Sequence, residues 1–560
     1  MFIDARTMPS GASVEADLCI VGAGAAGITL AKELAGSEIK LCILESGGID
    51  FAWQTQSLYE GTNAGLPYFD LNVCQIRYFG GNTNAWGGWC RPLDPLDFRH
   101  RPWVEHSGWP FPAAELAPYY RRAHAACQVV GDGYDPADLA SELAHPRARL
   151  LPVDPAKLET TVYRFSPPTR FGRAYRDAIA SAPNIRCFLN ANVLSIRASD
   201  DARHVTRLDV GCLSGSRFTV AARIFVLAAG AIENTRLLLL SNDVAANGLG
   251  NAHDLVGRYF MEHPHSKRAL IAAGGSFPSA LYGLTFHKRG VAARLSLPPA
   301  LQEREELLNY SGNIHPIYFG HETEGWVAFR KLVLSVERSR STDPFIRFPP
   351  YGRKGLTVRQ TFDLLRQFDR VTIAAFLQLF QPGRFIKGYV LESKPEQAPN
   401  PDSRVVLDHA RDAFGLNRVR LIWRMLPIDR RTAVRGEEMI DQELRRLGIG
   451  ALAPLGPGEE EAWPSNLEGG WHQIGTTRAH EDPKRGVVDA NGKVHGMSNL
   501  FIAGSSIFPT SGVAPPTLTI VALALRLADH LRRVFTRGVA ERQEATATAR
   551  TEPALAAVSS

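Results

Sequence analysis

"ADLCIVGAGAAGITLAKELAGSEIKLCILESGG", residues 16–48, decides the fold of this chain. Residues 17–21 are a short apolar run suited to a strand buried on both faces. Gly22, Gly24 and Gly27 follow in GxGxxG spacing, and "ITLAKELA" then reads as a helix. A second apolar strand, Leu41 to Leu44, ends in Glu45. Each part has a physical task. Gly22 permits a tight turn, Gly24 lets backbone approach a pyrophosphate, and Gly27 allows close packing of helix on strand. The helix N-terminus offers N–H groups and a positive dipole end to phosphates. Glu45 stands where an acid accepts hydrogen bonds from a ribose diol. Strand, glycines, helix, strand and acid together predict a dinucleotide site in a doubly wound α/β domain.

Working outward, 560 residues are too many for one ordinary core and imply two linked domains. With 45% hydrophobic and 21% charged residues the chain is a folded globular protein. A net charge of +6, with no dense basic run interleaved with aromatics, argues against nucleic acid. The N-terminus lacks a basic segment followed by an apolar run and a cleavage site, so no signal peptide is expected. No charge-free stretch of about 18 apolar residues is present, so no membrane span is expected. The seven cysteines include no CxxC pair. That pattern disfavours zinc and iron–sulfur sites and fits a reducing cytoplasm.

The choice between NAD and FAD is informed by "RIFVLAAGAIENTRLLLLS", residues 223–241, a strand, a glycine and a helix. Such a strand completes a sheet begun far upstream, which suits a flavoprotein better than a compact nicotinamide domain. Three further stretches follow in order: "RYFGGNTNAWGGW" (77–89), "AAGAIENTRLLL" (228–239) and "WHQIGTTRAHEDPKRGVVDANGKVHGMSNLFIAGSSIFPTSG" (471–512). Together with GAGAAG, they make the chain resemble the glucose–methanol–choline (GMC) family of FAD-dependent oxidoreductases over about residues 15–536. "PNPDSRVVL" (399–407) and "DAFGLNRVRLIW" (412–423) look like the bacterial branch near pyranose oxidase and sugar dehydrogenases.

The resemblance implies an FAD-binding domain built from residues 1–100, 160–267 and 465–537. It implies a second, α+β substrate domain, 101–159 and 268–464, whose antiparallel sheet roofs the flavin. It carries cofactor contacts onto Gly22, Gly24, Ala25, Ala26, Gly27, Glu45 and Ser46, and onto Val193 for the adenine. Gly80, Gly81, Asn82, Asn84, Ala85 and Trp86 are implied beside the isoalloxazine ring. Ala229, Gly230, Gly504, Ser505, Pro516 and Thr517 complete the set, and no metal is implied. His472 matches the catalytic histidine of the HxxGT motif. An imidazole with an ordinary pKa near 6.5 suits a general base taking a hydroxyl proton while hydride passes to flavin N5.

Three positions depart from the family pattern. Ala85 replaces the histidine that carries covalent flavin, so FAD is expected to be non-covalent. Ala479 replaces a methionine after the HxxGT motif. Pro515, fourteen residues before Asp529, fills the slot that usually holds Asn or His. Proline at a helix start is structurally favoured, but it carries no donor. A second polar group would then come from Thr510, Ser511, His263 or His265.

The expected activity is oxidation of an alcohol (a sugar, polyol or hydroxylated biosynthetic intermediate) to a carbonyl. Electrons would pass to oxygen or to a quinone or carrier. A redox-neutral lyase and an FAD-binding scaffold with little activity are the alternatives, and self-association into a homo-oligomer stays open. Ile520, Leu523, Leu527 and Leu531 predict a one-sided stripe on the last helix. The basic stretch around 338–370 reads as a solvated surface of helix and loop, and residues 538–560 as a disordered tail.

Overall fold

The computed structural model describes the chain except residues 132, 139–148, 273–280, 283–289, 319–324, 326–327, 330–357, 381–385, 456–457, 459–461 and 552–560. Its first sheet has eight strands. Phe2–Asp4, Ile185–Leu189, Leu41–Leu44, Ser13–Val21 and Arg217–Leu227 lie side by side and parallel. Leu500–Ile502 also joins Arg217–Leu227 in parallel. Val205–Gly211 and Asn192–Ala198 add an antiparallel flank. Parallel strands need helical crossovers on the faces, so the central strands are buried on both sides and read as unbroken apolar runs. Leu41–Leu44 is buried at every position. The dinucleotide turn thus stands at the carboxyl ends of the sheet, the usual place for a ligand in a doubly wound fold.

The second sheet is antiparallel with seven strands, in the order Gly450–Leu452, Ser266–Ala272, Ile386–Pro395, Tyr310–Tyr318, Val291–Ser296, Glu159–Phe165 and Trp89–Cys90. Helix Pro427–Arg446 packs on its outer face, where Gly436 lies against the Tyr310 ring. A small third sheet pairs the hairpin Arg404–Arg411 and Asn417–Trp423 with Thr62–Gly65. The α/β class with an antiparallel second sheet is as the sequence implies.

The detail differs in four places. Trp89–Cys90 and Glu159–Phe165 pair within the second sheet, although most of these residues fall in segments assigned to the FAD-binding domain. The hairpin 404–423, in a segment assigned to the substrate domain, pairs with Thr62–Gly65 of a segment assigned to the FAD-binding domain. Strand partners are chosen by long-range packing, which a local pattern does not encode. The last helix, Thr517–Thr551, is not a one-sided stripe: Leu518, Val521, Ala522, Leu525 and Ala528 are buried together with Leu523, Leu527 and Leu531. It packs between the helices Ala113–Ala126 and Ala25–Glu33, and a helix enclosed on several sides is apolar on several sides. The same helix runs on to Thr551, through most of the stretch expected to be disordered. Ala, Glu, Arg and Gln are good helix formers, and a packed first half removes the nucleation cost. Residues 552–560 and most of the basic stretch before Val358 lie outside the described residues, and Val358–Arg366 and Phe368–Phe380 are helical.

The glycine turn has a specific steric reason. Gly22 has φ +101, in the left-handed region that favours glycine, and a Cβ there would come 2.7 Å from the Ala228 carbonyl oxygen. A Cβ on Gly27 would come 2.0 Å from the Gly22 carbonyl oxygen, which is backbone and cannot yield. Gly27→Val is therefore expected to abolish folded, soluble protein. Gly388→Ala, whose added carbon meets nothing within 4 Å, is expected to leave the circular-dichroism melt of the chain unchanged.

Candidate active site

A cavity of about 430 Å³ opens at the carboxyl ends of the first sheet and extends to the second. Gly22, Gly24, Ala25 and Ala26 line it at the start of the first helix, with Glu45 and Ser46 at the end of the second strand. Gly27 does not line it; its place is the helix–strand contact described above. The Glu45 carboxylate is buried and accepts the Ala23 and Gly47 N–H groups at 2.9 Å each. Burial pushes its pKa up against those two bonds.

The loop 77–86 folds over the helix start. Gly80 donates its N–H to the Ala23 carbonyl at 2.8 Å. Gly81, Asn82, Ala85 and Trp86 line the cavity. Gly80 and Asn84 stand behind them, Asn84 donating to the Phe79 carbonyl at 3.0 Å. Val193, Ala229, Gly230, Gly504, Ser505, Pro515, Pro516 and Thr517 all line the same cavity, so sequence positions 300 residues apart converge. Two helices, Ala231–Leu240 and Thr517–Thr551, begin at its wall and turn their positive dipole ends toward it.

The space suits a dinucleotide. A Cβ added at Gly24, Gly230 or Gly504 would meet no protein atom within 4 Å, and all three glycines border the cavity. Close backbone approach without side chains, a helix start and a buried carboxylate are the elements by which FAD would be held. Ala85, with only a methyl group, has nothing with which to bond the flavin.

At the other end of the cavity the imidazoles gather. His263, His265 and His472 all line it. His263 Nδ1 lies 2.9 Å from His472 Nδ1, and His263 Nε2 lies 3.2 Å from the Ser511 carbonyl oxygen. A carbonyl only accepts, so His263 carries its proton on Nε2. In a neutral ring its Nδ1 is then an acceptor, and His472 must donate from Nδ1. That leaves His472 Nε2 as a free lone pair, with no protein hydrogen bond among the described residues. Both rings are held neutral. Burial lowers His263 to about 4. Burial, and then the neighbouring His263, Lys394 and Arg294, lower His472 well below the ordinary imidazole value.

Of the groups weighed as replacements for the residue lost at Pro515, His263 is the one that touches His472. His265 also lines the cavity, while Thr510 is spent on Trp109 and the Asp97 carbonyl. Ser511 contributes its backbone carbonyl, and its hydroxyl bonds to Gln397. Ala479 is buried in the core, away from the cavity lining.

Sequence reasoning passed over Glu262. This carboxylate is fully buried and accepts N–H groups from His263 (3.0 Å), Gly470 (3.0 Å) and His472 (2.9 Å), with the Tyr68 hydroxyl as a fourth donor. It therefore ties together the two loops that carry the histidines. Burial pushes its pKa up to about 7 against those bonds. Between its two ligated amides, Trp471 adopts φ +61, a strained value for a bulky residue. Arg294 and Lys394, on strands of the second sheet, were also missed. The only sequence signal was a charged residue inside a buried strand.

Comparison with known proteins comes to the same place. Residues 399–524 match the family model described as GMC oxidoreductase. The chain is 26% identical to paromamine 6'-oxidase of Streptomyces fradiae, over 91% of this chain and 90% of that one. It is 24% identical to 2-methyl-1,2-propanediol dehydrogenase of Mycolicibacterium austroafricanum, over 94% and 97%. Pyridoxine 4-oxidase from Mesorbium loti superposes with a TM-score of 0.55 at 18% identity, over 92% of this chain and 99% of that one, and so shares its fold.

Gly24→Val would fill the pyrophosphate approach, and its Cβ would meet no protein atom within 4 Å. The variant is expected to fold, by circular dichroism, yet to retain at least about tenfold less flavin per chain by its visible absorbance. Wild-type flavin content in that variant would contradict the assignment.

Proposed function

Because the chain belongs to the GMC oxidoreductases, we propose that it uses FAD, held non-covalently, to oxidise a small alcohol to a carbonyl with His472 as the general base. The observation that carries this reading is the hydrogen-bond chain from the Ser511 carbonyl through His263 to His472, which leaves Nε2 of His472 unprotonated at the cavity wall. FAD, when bound, supplies the two-electron acceptor for the hydrogen on the carbinol carbon.

The residues of the chain do the rest. The Gly22–Gly27 turn and the helix behind it would hold the pyrophosphate, Glu45 the ribose diol, and the Val193 backbone the adenine. His472 Nε2 accepts the hydroxyl proton, and the Nδ1 proton of the resulting imidazolium passes toward the His263 Nδ1 lone pair across their 2.9 Å contact. Gly80, bonded to the nucleotide turn, holds the loop 77–86 against the helix start. The relatives are named for paromamine and for 2-methyl-1,2-propanediol. This supports a sugar, polyol or hydroxylated biosynthetic intermediate as substrate. No described helix is long and apolar enough to cross a membrane. The seven thiols are all buried and unpaired, which supports a reducing, cytoplasmic setting. The lyase alternative drew its force from the polar group lost at Pro515; His263 beside His472 supplies one and supports the redox reading.

His472→Ala is expected to keep FAD bound and to slow anaerobic flavin reduction about 10²–10⁴-fold, the usual worth of a general base. The pH profile has a definite sign. The base acts in its neutral form, and its proton affinity is depressed in the fold. His472 is therefore expected to add no inflection to the wild-type reduction rate between about pH 6.5 and 7.5; an inflection there belongs to Glu262, brought to about 7, and is expected to persist in the residual rate of His472→Ala. In stopped flow, an inflection between about pH 6.5 and 7.5 that disappears in His472→Ala would contradict the depressed proton affinity, and an unimpaired His472→Ala would remove His472 from the mechanism.

A further inference from the structure

The histidine end of the cavity carries more positive charge than the protein neutralises. Arg294, on the strand Val291–Ser296, and Lys394, on Ile386–Pro395, both line it. Both stand against the same indole: the Arg294 guanidinium carbon lies 4.5 Å, and Lys394 Nζ 5.9 Å, from the Trp89 ring centroid. Lys394 has a carboxylate partner, donating to Glu392 at 2.8 Å. Glu392 is shared with His315 at 3.1 Å and lies 3.7 Å from His265. Burial pushes Glu392 up, but the bond from His315 and the charge of Lys394 bring it down on balance, so it is ionised.

Arg294 has no such partner. It is 3% exposed, donates one hydrogen bond to the Ser311 hydroxyl at 3.1 Å and rests on the Tyr163 ring at 4.1 Å. Its Nε has no partner, and no carboxylate lies within 4.0 Å of the guanidinium among the described residues. The three neighbouring imidazoles are held neutral and offer no compensation. Lys394 feels the excess: burial, and next the charge of Arg294, bring it down to about 8. The other carboxylates on the wall are engaged elsewhere, Glu45 by two backbone amides and Glu233 by Arg77 and Arg236.

A buried cation without a counter-charge is costly, and a guanidinium with unspent donors matches a carboxylate in shape and charge. The phosphates of the cofactor belong at the glycine turn of the first sheet, whereas Arg294 and Lys394 project from the second. We propose that the alcohol oxidised here also carries a carboxylate, which seats on Arg294 and Lys394 while its hydroxyl faces His472. Two cations and one carboxylate leave one positive charge, which a singly charged carboxylate balances and a phosphate dianion exceeds. The inference deepens the oxidation reading and rests on it for the identity of the reacting group.

The test uses the FAD-loaded protein and matched compounds. Anaerobic flavin reduction is measured with glycerol, glycerate and glycerol 3-phosphate, and with glucose, glucuronate and glucosamine. Binding without turnover is measured by calorimetric titration with acetate and with its neutral counterpart acetamide. The expected result is a preference of about ten- to a hundredfold for glycerate, glucuronate and acetate over their neutral partners, the range of a charged hydrogen bond. That ratio is expected to collapse toward one in Arg294→Gln, and to shrink in Lys394→Met should the arginine variant not fold. Equal handling of neutral and anionic members by the wild type would overturn the proposal, as would a preference for glucosamine. Preference for glycerol 3-phosphate over glycerate would replace the carboxylate by phosphate and likewise overturn it. If no compound reduces the flavin, the oxidation reading fails, and the acetate titration still decides whether the carboxylate site exists.

Discussion

The buried carboxylate of Glu262 holds the candidate site together. The segment leading into the strand Ser266–Ala272 carries His263, and the segment before the last strand, Leu500–Ile502, carries His472, 209 residues later. Glu262 lies between two backbone bridges, Met261–Ile474 and His265–Glu468, which pair the two segments on either side of the histidines. Glu262 collects one backbone amide from the first and two from the second, and Tyr68 closes the remaining side. Removing this buried acceptor would strand each donor at about 1–3 kcal/mol. This is enough to hold the strained Trp471 backbone, whose ordinary cost is about 1–3 kcal/mol. The strain turns the chain so that the next residue, His472, meets His263.

From that fixed pair the proton inventory follows. A backbone carbonyl sets the tautomer of one ring, which sets the tautomer of the other, and burial keeps both neutral. The first sheet builds the other half of the cavity from glycines and helix starts, elements that attract anionic phosphate without side chains. The second sheet supplies side-chain charge instead. The first sheet thus lines the cavity mainly with backbone, and the second with the charged side chains of Arg294 and Lys394.

The glycine turn and Glu45 were legible because strand, turn, helix and strand are contiguous in sequence and each glycine answers a local steric demand. His472 was legible only through its motif; nothing in its spacing announces that the ring faces a cavity. Glu262 was not legible, although "MEHPH" drew notice for its histidines, because three of its four donors come from two distant segments, Tyr68 and 470–472. Arg294 and Lys394 were hidden for a related reason: a strand's alternation tells which residues share a face but not which face meets a ligand. The tail was misread in the other direction. Its low apolar content suggested disorder, but it continues a helix whose buried first half has already nucleated it.

The account stands on the protonation state of one ring. Nitrogen NMR of protein labelled with ring-¹⁵N histidine, with His472→Ala used to assign the signal, reads that state directly at pH 7. The structure requires a neutral His472 with its proton on Nδ1 and a bare Nε2. A signal for the opposite tautomer, or for an imidazolium, would contradict the hydrogen-bond chain from Ser511 and, with it, the base that the chemistry needs.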